Sequence, residues 1–500
     1  MFSRLFMTDT KGADSMILRK AREADLPALF ELYKLTCEHL SNRGVEHWQW
    51  GTYPSEAIIT EDVRKGKQYC LYGAPGMVLA VAVGTETTPV YDQVNWLFGV
   101  RPGVFHRLAV HPDLQREGLG RQAVQDVESI LISLGCDCLR CDAQISNEHA
   151  LRFYESLGMR RAGTVWFEER ENTYVAFEKR LTENCPLLPL RMHPAFRGGK
   201  LTPWGGDRLR TVYGKEIPEV PTGESLEISC IPGLESTDDS GVKLTDLIRT
   251  YGGKFAGRYE FGAFPLLLKI IDATDVLSVQ VHPDDAYAHD HEGGKLGKTE
   301  AWLILDAPED AELVYGILPG TDKDALKAAC EQGAAVEPLL RKVKVKPGDV
   351  CYIPAGCVHA IGAGIMLYEI QQSSDVTYRF YDWNRLDKNG KGRELHLKQA
   401  LDVTDLSFAP EPLHSPEIPV ARVLDKRCFT LDILNPREGS PVHVPHIRDF
   451  GMLTVLDGEL TLRWETGSRA VRPGDSLYIP CAAPALTLEG TGRAALSMPR

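Results

Sequence analysis

The sequence predicts a multidomain chain, an α/β domain built on a mixed sheet followed by mainly-β barrels. Three observations carry this. The chain has 500 residues, more than one ordinary core accommodates, and length alone points to roughly two to four domains. Up to about Leu181, apolar stretches with strand and helix periods alternate. From about Pro186, Pro and Gly become frequent, long helices become rare and short apolar runs follow one another, the signature of a β-sandwich or barrel.

The opening "MFSRLFMTDTKGADSM" has neither a long apolar core nor a cleavage signature, so it does not read as a signal peptide. Residues 1–16 are expected to be a disordered leader, with Met16 as a second candidate start. "ILRKARE" reads as a strand. "DLPALFELYKLTCEHL" has apolar residues at helical spacing behind Asp25 and Pro27, a start signal. "MVLAVAVG" and "FHRLAV" read as strands. In "RQAVQDVESILISLG", Val124, Val127, Leu131 and Leu134 share one helical face and Gly135 is a stop. "LRCDAQIS" is a strand, and "NEHALRFYESLG" a helix with Asn147 as its cap.

"PLLPLRMHPAFRGGKLTPWGG" then leads into the second half. "PLLLKIID", "LSVQV", "AWLIL", "CYIP", "IMLYEIQ" and "YRFYDW" are short strands, interrupted by one helical insertion near "DKDALKAACEQ". From about Ser415 the pattern is again all β. One phrase occurs twice: "PGDVCYIPAGCVHAI" from Pro347 and "PGDSLYIPCAAPALT" from Pro473, 126 residues later. Pro and Gly make a turn and the apolar residues enter a core. A second echo sets "WLILD" at Trp302 beside "LTVLD" at Leu453. In these alignments Glu300 falls on Gly451 and His359 on Ala485.

A net charge of -13 argues against a general nucleic-acid surface, which needs clustered Lys and Arg. No window approaches the roughly 18 apolar residues of a membrane helix. The twelve cysteines form no disulfide framework. Cys138 and Cys141 make a lone CxxC beside Cys136, and its place in an apolar strand reads as structural rather than metal-binding. The expected compartment is the reducing cytoplasm.

In "HRLAVHPDLQREGLGRQAV", Gln115, Arg116, Gly118 and Gly120 stand as Q-R-x-G-x-G between a strand and a helix. Glycines let the backbone approach a ligand, and the unpaired donors and dipole of a helix N-terminus favour an anion such as diphosphate. With "FHRLAVHP" before it and "SNEHALRFYESLGM" after it, the region 17–182 resembles the GNAT acetyltransferases. The resemblance implies acetyl-CoA as co-substrate, held by Ala109, Val110, Gln115, Arg116, Gly118, Gly120 and Asn147. It implies Tyr154 as the acid that protonates the departing CoA thiolate. The acetyl acceptor, an amine, is not fixed by any motif. Glu46, His47, Asp92 and His106 are the candidates for its base.

In "LSVQVHPDD", Gln280 and His282 lie two apart on a strand and face one side. Glu300 in "GKTEAWLIL" and His359 in "PAGCVHAI" complete a set of two imidazoles, a carboxylate and an amide suited to a borderline divalent ion. "TPWGG", "FPLLLKIIDA", "LSVQVHPDD", "KTEAW", "PAGCVHAI" and "YEIQQSSDVTYRFYDW" follow in order. On these motifs residues 183–409 resemble the type I, zinc-dependent mannose-6-phosphate isomerases, a cupin family. The resemblance implies a cupin or jelly-roll barrel and one Zn2+ per chain on Gln280, His282, Glu300 and His359. It implies Lys298, Glu369, Asp375 and Arg379 as catalytic residues, and Ser278, Lys298 and Arg379 as substrate-binding. Mannose 6-phosphate and fructose 6-phosphate are the implied substrates. The repeat extends this to a second, cupin-like barrel at 410–500 that lacks the metal ligands. Two alternatives stand beside the bifunctional reading. In one, the GNAT half binds acetyl-CoA and regulates the isomerase without transferring acetyl. In the other, the barrel acts on another phosphosugar. Sequence fixes neither the isomerase base nor the oligomeric state.

Overall fold

The computed structural model describes residues 18–45, 47–168, 171–259, 264–386 and 390–500. The expected leader, 1–16, and the candidate Glu46 lie outside the described residues. The chain forms two compact units. One runs to Cys185 and takes in Arg249–Tyr251, and the other comprises Pro186–Ile248 and Gly252–Arg500. Among the described residues no helix is long and apolar enough to cross a membrane.

In the first unit, helices pack on a seven-stranded sheet ordered Arg19–Lys20, Gln68–Gly73, Gly76–Gly84, Pro102–Val110, Cys138–Gln144, Asn172–Arg180, Arg160–Phe167. Leu29, Leu32 and Tyr33 of the helix Leu26–Ser41 pack against Met77, Ala80 and Ala109. Val124, Val127 and Leu131 of the helix Leu119–Ser133 pack against Phe105, Leu139 and Phe177. Asp25 does not cap the first helix. Its carboxylate accepts from the Arg22 amide at 2.8 Å and pairs with Arg19, so the start signal works one turn earlier, on a 3-10 turn. Cys136, Cys138 and Cys141 are all buried, and burial pushes the Cys138 thiol up to about 12, so they act as core residues.

One break in this sheet matters for function. Pro102–Val110 and Cys138–Gln144 are parallel and pair only between Pro102–Val104 and Cys138–Arg140. Beyond that point each keeps only its outer neighbour, Gly76–Gly84 on one side and Asn172–Arg180 on the other. The two central strands therefore diverge and leave a wedge in the middle of the sheet.

The second unit corrects the predicted barrels. Its strands form open sheets. A seven-stranded sheet is ordered Leu413–His414, Asp349–Ile353, Glu300–Asp306, Ile365–Gln372, Leu266–Ala273, Thr222–Ile228, Ala195–Gly198. A five-stranded sheet is ordered Leu340–Lys344, Glu312–Ile317, His359–Ala360, Val279–Val281, Tyr378–Tyr381. Trp302, Ile304, Cys351 and Leu367 of the first meet Leu313, Tyr315 and Val343 of the second in one core. Among the described residues no strand pairing joins the two, so no sheet closes. The sequence could not distinguish these outcomes. Alternation and apolar runs report which faces are buried, and a packed pair of sheets buries the same faces as a barrel.

The last sheet is also open, ordered Val420–Asp425, Phe429–Leu434, Thr487–Pro499, Gly451–Trp464, Ser476–Ile479, Leu190–Met192. It meets the outer face of the seven-stranded sheet, where the hydroxyls of Tyr368 and Ser497 lie 2.7 Å apart in a buried hydrogen bond. Leu266–Ala273 and Ile365–Gln372 are thus covered on both faces and buried at every position. Besides the predicted helix, found at Lys323–Glu331, this unit has the helices Asp285–His291 and Leu397–Val403. Two turns are too few for an apolar period to stand out.

The two copies of the repeated phrase take one conformation. Gly348 and Gly474 have φ of 89° and 84°, and Asp349 and Asp475 accept hydrogen bonds from the Lys346 and Arg472 amides at 2.9 and 2.8 Å. The following strands share a register. Ile353 lies opposite Glu300, and Ile479 opposite Gly451. A Cβ at Gly451 would stand 2.5 Å from Ile447 Cδ1, so the second copy fills with an isoleucine the place where the first holds a carboxylate. At Gly474, an added Cβ would meet Tyr213 Cβ at 2.7 Å as well as an unfavourable backbone. Gly474→Ala is expected to cost about 2–4 kcal/mol and Gly348→Ala less, read from the thermal midpoints of the full chain.

Candidate functional site

In the first unit a cavity of about 520 Å³ follows the wedge between the diverging strands. Val110, Gln115, Arg116, Gly118, Gly120, Asn147 and Tyr154 line it. Ala109, named with them by the sequence, turns away into the core. Arg116 and Gly118 have φ of 69° and 89°, which curls the loop onto the start of the fifteen-residue helix Leu119–Ser133. The free N–H groups of that helix start make an anion site. Arg43 and Arg116 lie at the same end: burial first, then these two charges, hold the neighbouring His149 below its ordinary pKa. Asn147 caps the next helix, its Oδ1 accepting from the Ala150 amide at 3.2 Å.

Tyr154 sits among Phe105, Phe153 and Phe177, with ring centroids 5.7, 5.4 and 5.5 Å away. Burial pushes its hydroxyl well above the ordinary range, so it keeps its proton. At the far end of the cavity, His106 Nδ1 lies 3.6 Å from Asp142 Oδ2, which also accepts from the Tyr91 hydroxyl at 2.7 Å. His47 lines the cavity, whereas Asp92 is exposed and does not. Asp142 and Tyr91 were not singled out from the sequence. The available signal was an aspartate inside the otherwise core-forming strand "CLRCDAQ".

In the second unit, His282, Glu300 and His359 are buried with their ligating atoms within 4.8 Å of one another. The strand registers bring them together. Gln280 pairs with His359 across the five-stranded sheet, and Glu300 opens a strand of the sheet facing it. His282 Nδ1 donates to the Val376 carbonyl and His359 Nδ1 to the Cys357 carbonyl, both at 2.9 Å. Each imidazole is therefore fixed with Nε2 turned to the cluster. Burial holds both imidazoles neutral, His282 far down and His359 down to about 3, with the Lys298 charge adding to both. The Gln280 amide donates to His359 Nε2 at 3.2 Å. Burial raises the Glu300 carboxyl against the pull of Lys298. Lys298 Nζ lies 2.7 Å from Glu300 Oε2 and 3.0 Å from His282 Nε2, yet neither Glu300 oxygen has an aligned hydrogen-bond donor. Buried imidazole lone pairs beside an incompletely satisfied carboxylate are a donor set that fits a divalent cation.

Lys298, Gln280, Ser278, Glu369, Asp375 and Arg379 all line an adjoining cavity of about 300 Å³. Arg379 donates from Nε to Ser278 Oγ at 3.2 Å and from Nη1 to the Glu394 carbonyl at 2.8 Å. Burial and the charge of Arg393 lower its pKa from the usual guanidinium value. Glu369 accepts from Trp302 Nε1 at 3.0 Å. Asp375 pairs with Lys295 at 2.8 Å. Sequence reading passed over Lys269, which stands opposite Glu369 in register and lies 3.1 Å from it and 3.5 Å from Glu224. Burial opposes charge on Lys269 and on Glu369, and their attraction outweighs it, so both remain ionised. The signal was a lysine inside "PLLLKIID", which has to be paired if it is buried.

Comparison with known proteins gives the same division. Residues 28–159 match the acetyltransferase (GNAT) family, and residues 197–310 match the phosphomannose isomerase type I catalytic domain. The mannose-6-phosphate isomerase ManA of Bacillus subtilis is 39% identical over 311 residues, 60% of this chain and 96% of that protein. The mannose-6-phosphate isomerase of Streptococcus mutans is 39% identical over 285 residues, 55% of this chain and 88% of that protein. The crystal structure of the mannose 6-phosphate isomerase from Bacillus subtilis superposes with a TM-score of 0.57 at 33% identity, covering 62% of this chain and 99% of that one.

Removing the Lys269 ammonium leaves the buried Glu369 without its nearest cation, while Glu224 keeps Arg197 at 3.4 Å. Lys269→Met is expected to destabilise the second unit by about 3–5 kcal/mol. The double change Lys269→Met with Glu369→Gln is expected to recover part of that loss, both measured by denaturant unfolding.

Proposed function

The chain belongs to the type I mannose-6-phosphate isomerases, with a GNAT acetyltransferase domain fused ahead of the isomerase domain, and on that premise we propose a bifunctional enzyme. In this reading residues 183–409 interconvert mannose 6-phosphate and fructose 6-phosphate, 410–500 pack as a metal-free region, and 17–182 transfer acetyl from acetyl-CoA to an amine. One observation carries the isomerase assignment. The His282–Glu300–His359 cluster adjoins a cavity whose wall carries Arg197, Lys269, Lys298, Arg379 and Arg393, a place for a sugar phosphate beside a divalent ion.

In the proposed mechanism Gln280, His282, Glu300 and His359 would hold the ion, and two imidazoles with a carboxylate and an amide suit a borderline cation such as Zn2+. The chemistry such an ion would supply there is Lewis-acid polarisation of the sugar carbonyl. The rest falls to side chains. Isomerisation moves a proton between two adjacent carbons through an enediol. Arg379, positioned by Ser278 and the Glu394 carbonyl, binds substrate and stabilises the negative oxygen as it forms. Lys298, Glu369 and Asp375 divide the proton-carrying work and ring opening among them. Glu369 suits a base because Lys269 and Trp302 keep it ionised at a fixed orientation.

In the acetyl-transfer half, the helix start at Gly118 and the Arg43–Arg116 end take the CoA phosphates, and Tyr154 supplies the proton to the leaving thiolate. The twelve free cysteines suit a reducing compartment, and we place the enzyme in the cytoplasm.

Purified chain stripped by a chelator is expected to lose mannose 6-phosphate isomerisation and regain it with Zn2+. Arg379→Ala is expected to lower kcat by about 10²–10³-fold with metal content unchanged by atomic spectroscopy. No conversion in the zinc-loaded protein would overturn the assignment, and conversion of another phosphosugar alone would reassign the substrate. Running the assay with and without acetyl-CoA tests the coupling of the two halves, and acetyl-CoA binding without transfer to any of a library of amines would favour a first half that only regulates.

A further inference from the structure

Arg379 lies on the outer strand of the five-stranded sheet, Tyr378–Tyr381. One edge of that strand pairs with Val279–Val281, where Arg379 stands opposite Gln280 beside a register shift. Among the described residues no strand pairs with the other edge. Edge N–H and C=O groups still have to be met. At Arg379 a single residue meets both. The His396 amide donates to the Arg379 carbonyl at 2.9 Å, and the Arg379 amide donates to His396 Nδ1 at 3.3 Å. In an antiparallel pair the second bond would end on the His396 carbonyl. That carbonyl is engaged elsewhere: it accepts from the Ala400 amide at 2.9 Å and starts the helix Leu397–Val403. The imidazole takes its place, and because Nδ1 accepts, the neutral ring carries its hydrogen on Nε2. An apolar side chain would serve the helix start equally and leave the Arg379 amide unmet. The same segment also holds the far end of Arg379. Glu394, two residues before His396, gives its carbonyl to Nη1 at 2.8 Å. Arg393 ties the segment down again, donating from Nε to Asp382 Oδ2 at 2.7 Å.

We propose that His396 is a positioning residue of the isomerase: its Nδ1 completes the strand edge at Arg379 and so keeps the Glu394 carbonyl, and with it the guanidinium, in place at the substrate cavity. This rests on the reading of Arg379 as the group that binds substrate and stabilises the enediolate. Such a group contributes fully only if it is in place before the charge forms, because an arginine free to swing has to reorganise at the moment of reaction. Burial and the charge of Arg393 both work against the Arg379 cation. Its place therefore depends on hydrogen bonds. Ser278 Oγ and the Glu394 carbonyl hold the guanidinium, and His396 sets the distance between the Arg379 main chain and that carbonyl. The consequence falls on the chemical step more than on substrate binding.

The test uses the full zinc-loaded chain and mannose 6-phosphate. Asparagine and glutamine separate the two ring nitrogens. Asparagine puts an acceptor near the place of Nδ1, whereas glutamine puts its polar groups near that of Nε2 and leaves the Arg379 amide unmet. His396→Asn is expected to keep kcat within about 3-fold of the wild type. His396→Gln is expected to lower kcat by about 10-fold, with a smaller change in KM. Zinc content by atomic spectroscopy and the melting temperature are expected to hold in both. In an Arg379→Ala background the two changes are expected to give equal rates, because the side chain through which His396 acts is gone. A merely structural role would keep the gap there. Equal kcat for His396→Asn and His396→Gln in the otherwise wild-type chain overturns the inference. So does a loss in His396→Gln that comes with lost zinc or a lowered melting temperature, or a gap that persists without the Arg379 guanidinium. Full activity in Arg379→Ala alone overturns the reading of Arg379 itself.

Discussion

The second unit is organised around charge that has been taken out of water. Glu300 is fully buried, and so are His282 and His359 beside it. An isolated carboxylate there is untenable, since its desolvation costs more than the protein's whole margin of stability. Lys298 compensates for it at 2.7 Å and Lys269 adds to this from farther along the wall, whereas the Glu369 charge and the imidazole lone pairs of His282 and His359 do not, so the cluster is short of positive charge. A cluster so constituted requires fixed strand registers, because a slip of one residue would turn Glu300 or Lys269 into the apolar face. The sheets are covered on both sides for the same reason: water at this depth would replace the partners that set the site's geometry.

That constraint explains what the sequence made legible. Residues whose identity is forced by local backbone chemistry could be read one at a time. Asn147 caps its helix, and Pro-Gly-Asp makes the same turn twice. Gln280 and His282 could be placed on one side of a strand by the period of two. His359 and Glu300 needed the ordered family motifs, since no short spacing joins them. Lys269 and Asp142 were missed because each looks, in its own segment, like an interruption of an apolar run, and Tyr91 because it is one aromatic in a short polar turn. Their meaning appears only when another strand brings the partner: Glu369 for Lys269, His106 for Asp142. The closed barrels failed for a related reason. Whether edge strands pair with one another is decided by strand order, and alternation carries no record of it.

The first unit uses a different device. Its sheet supplies a site by ceasing to pair. Strands Pro102–Val110 and Cys138–Gln144 share three residues of register and then separate. The wedge exposes main-chain edges and inward side chains that a continuous sheet would cover. An anion-binding helix start lies at one end and an aromatic, acidic end at the other. A sheet break costs backbone hydrogen bonds unless a ligand or side chains take them over, and this makes the wedge a poor choice for mere structure and a good one for a cofactor with a peptide-like arm.

The repeated turn shows how separable scaffold and chemistry are. The Asp349 and Asp475 turns depend on backbone groups and on one glycine of positive φ, and neither dictates what the opposite strand carries. At the matched position one copy holds Glu300 and the other Gly451, with the Ile447 side chain in the freed volume. An apolar filling needs no partners and tolerates no charge, whereas a carboxylate needs every partner the first copy provides. The two states have no workable intermediate: a glutamate without the histidines and lysine, or those groups without the glutamate, leaves buried polar atoms unmet. The ligand set works only as a unit, and the second copy, which keeps the turn, has neither of the two members at the matched positions, Gly451 and Ala485.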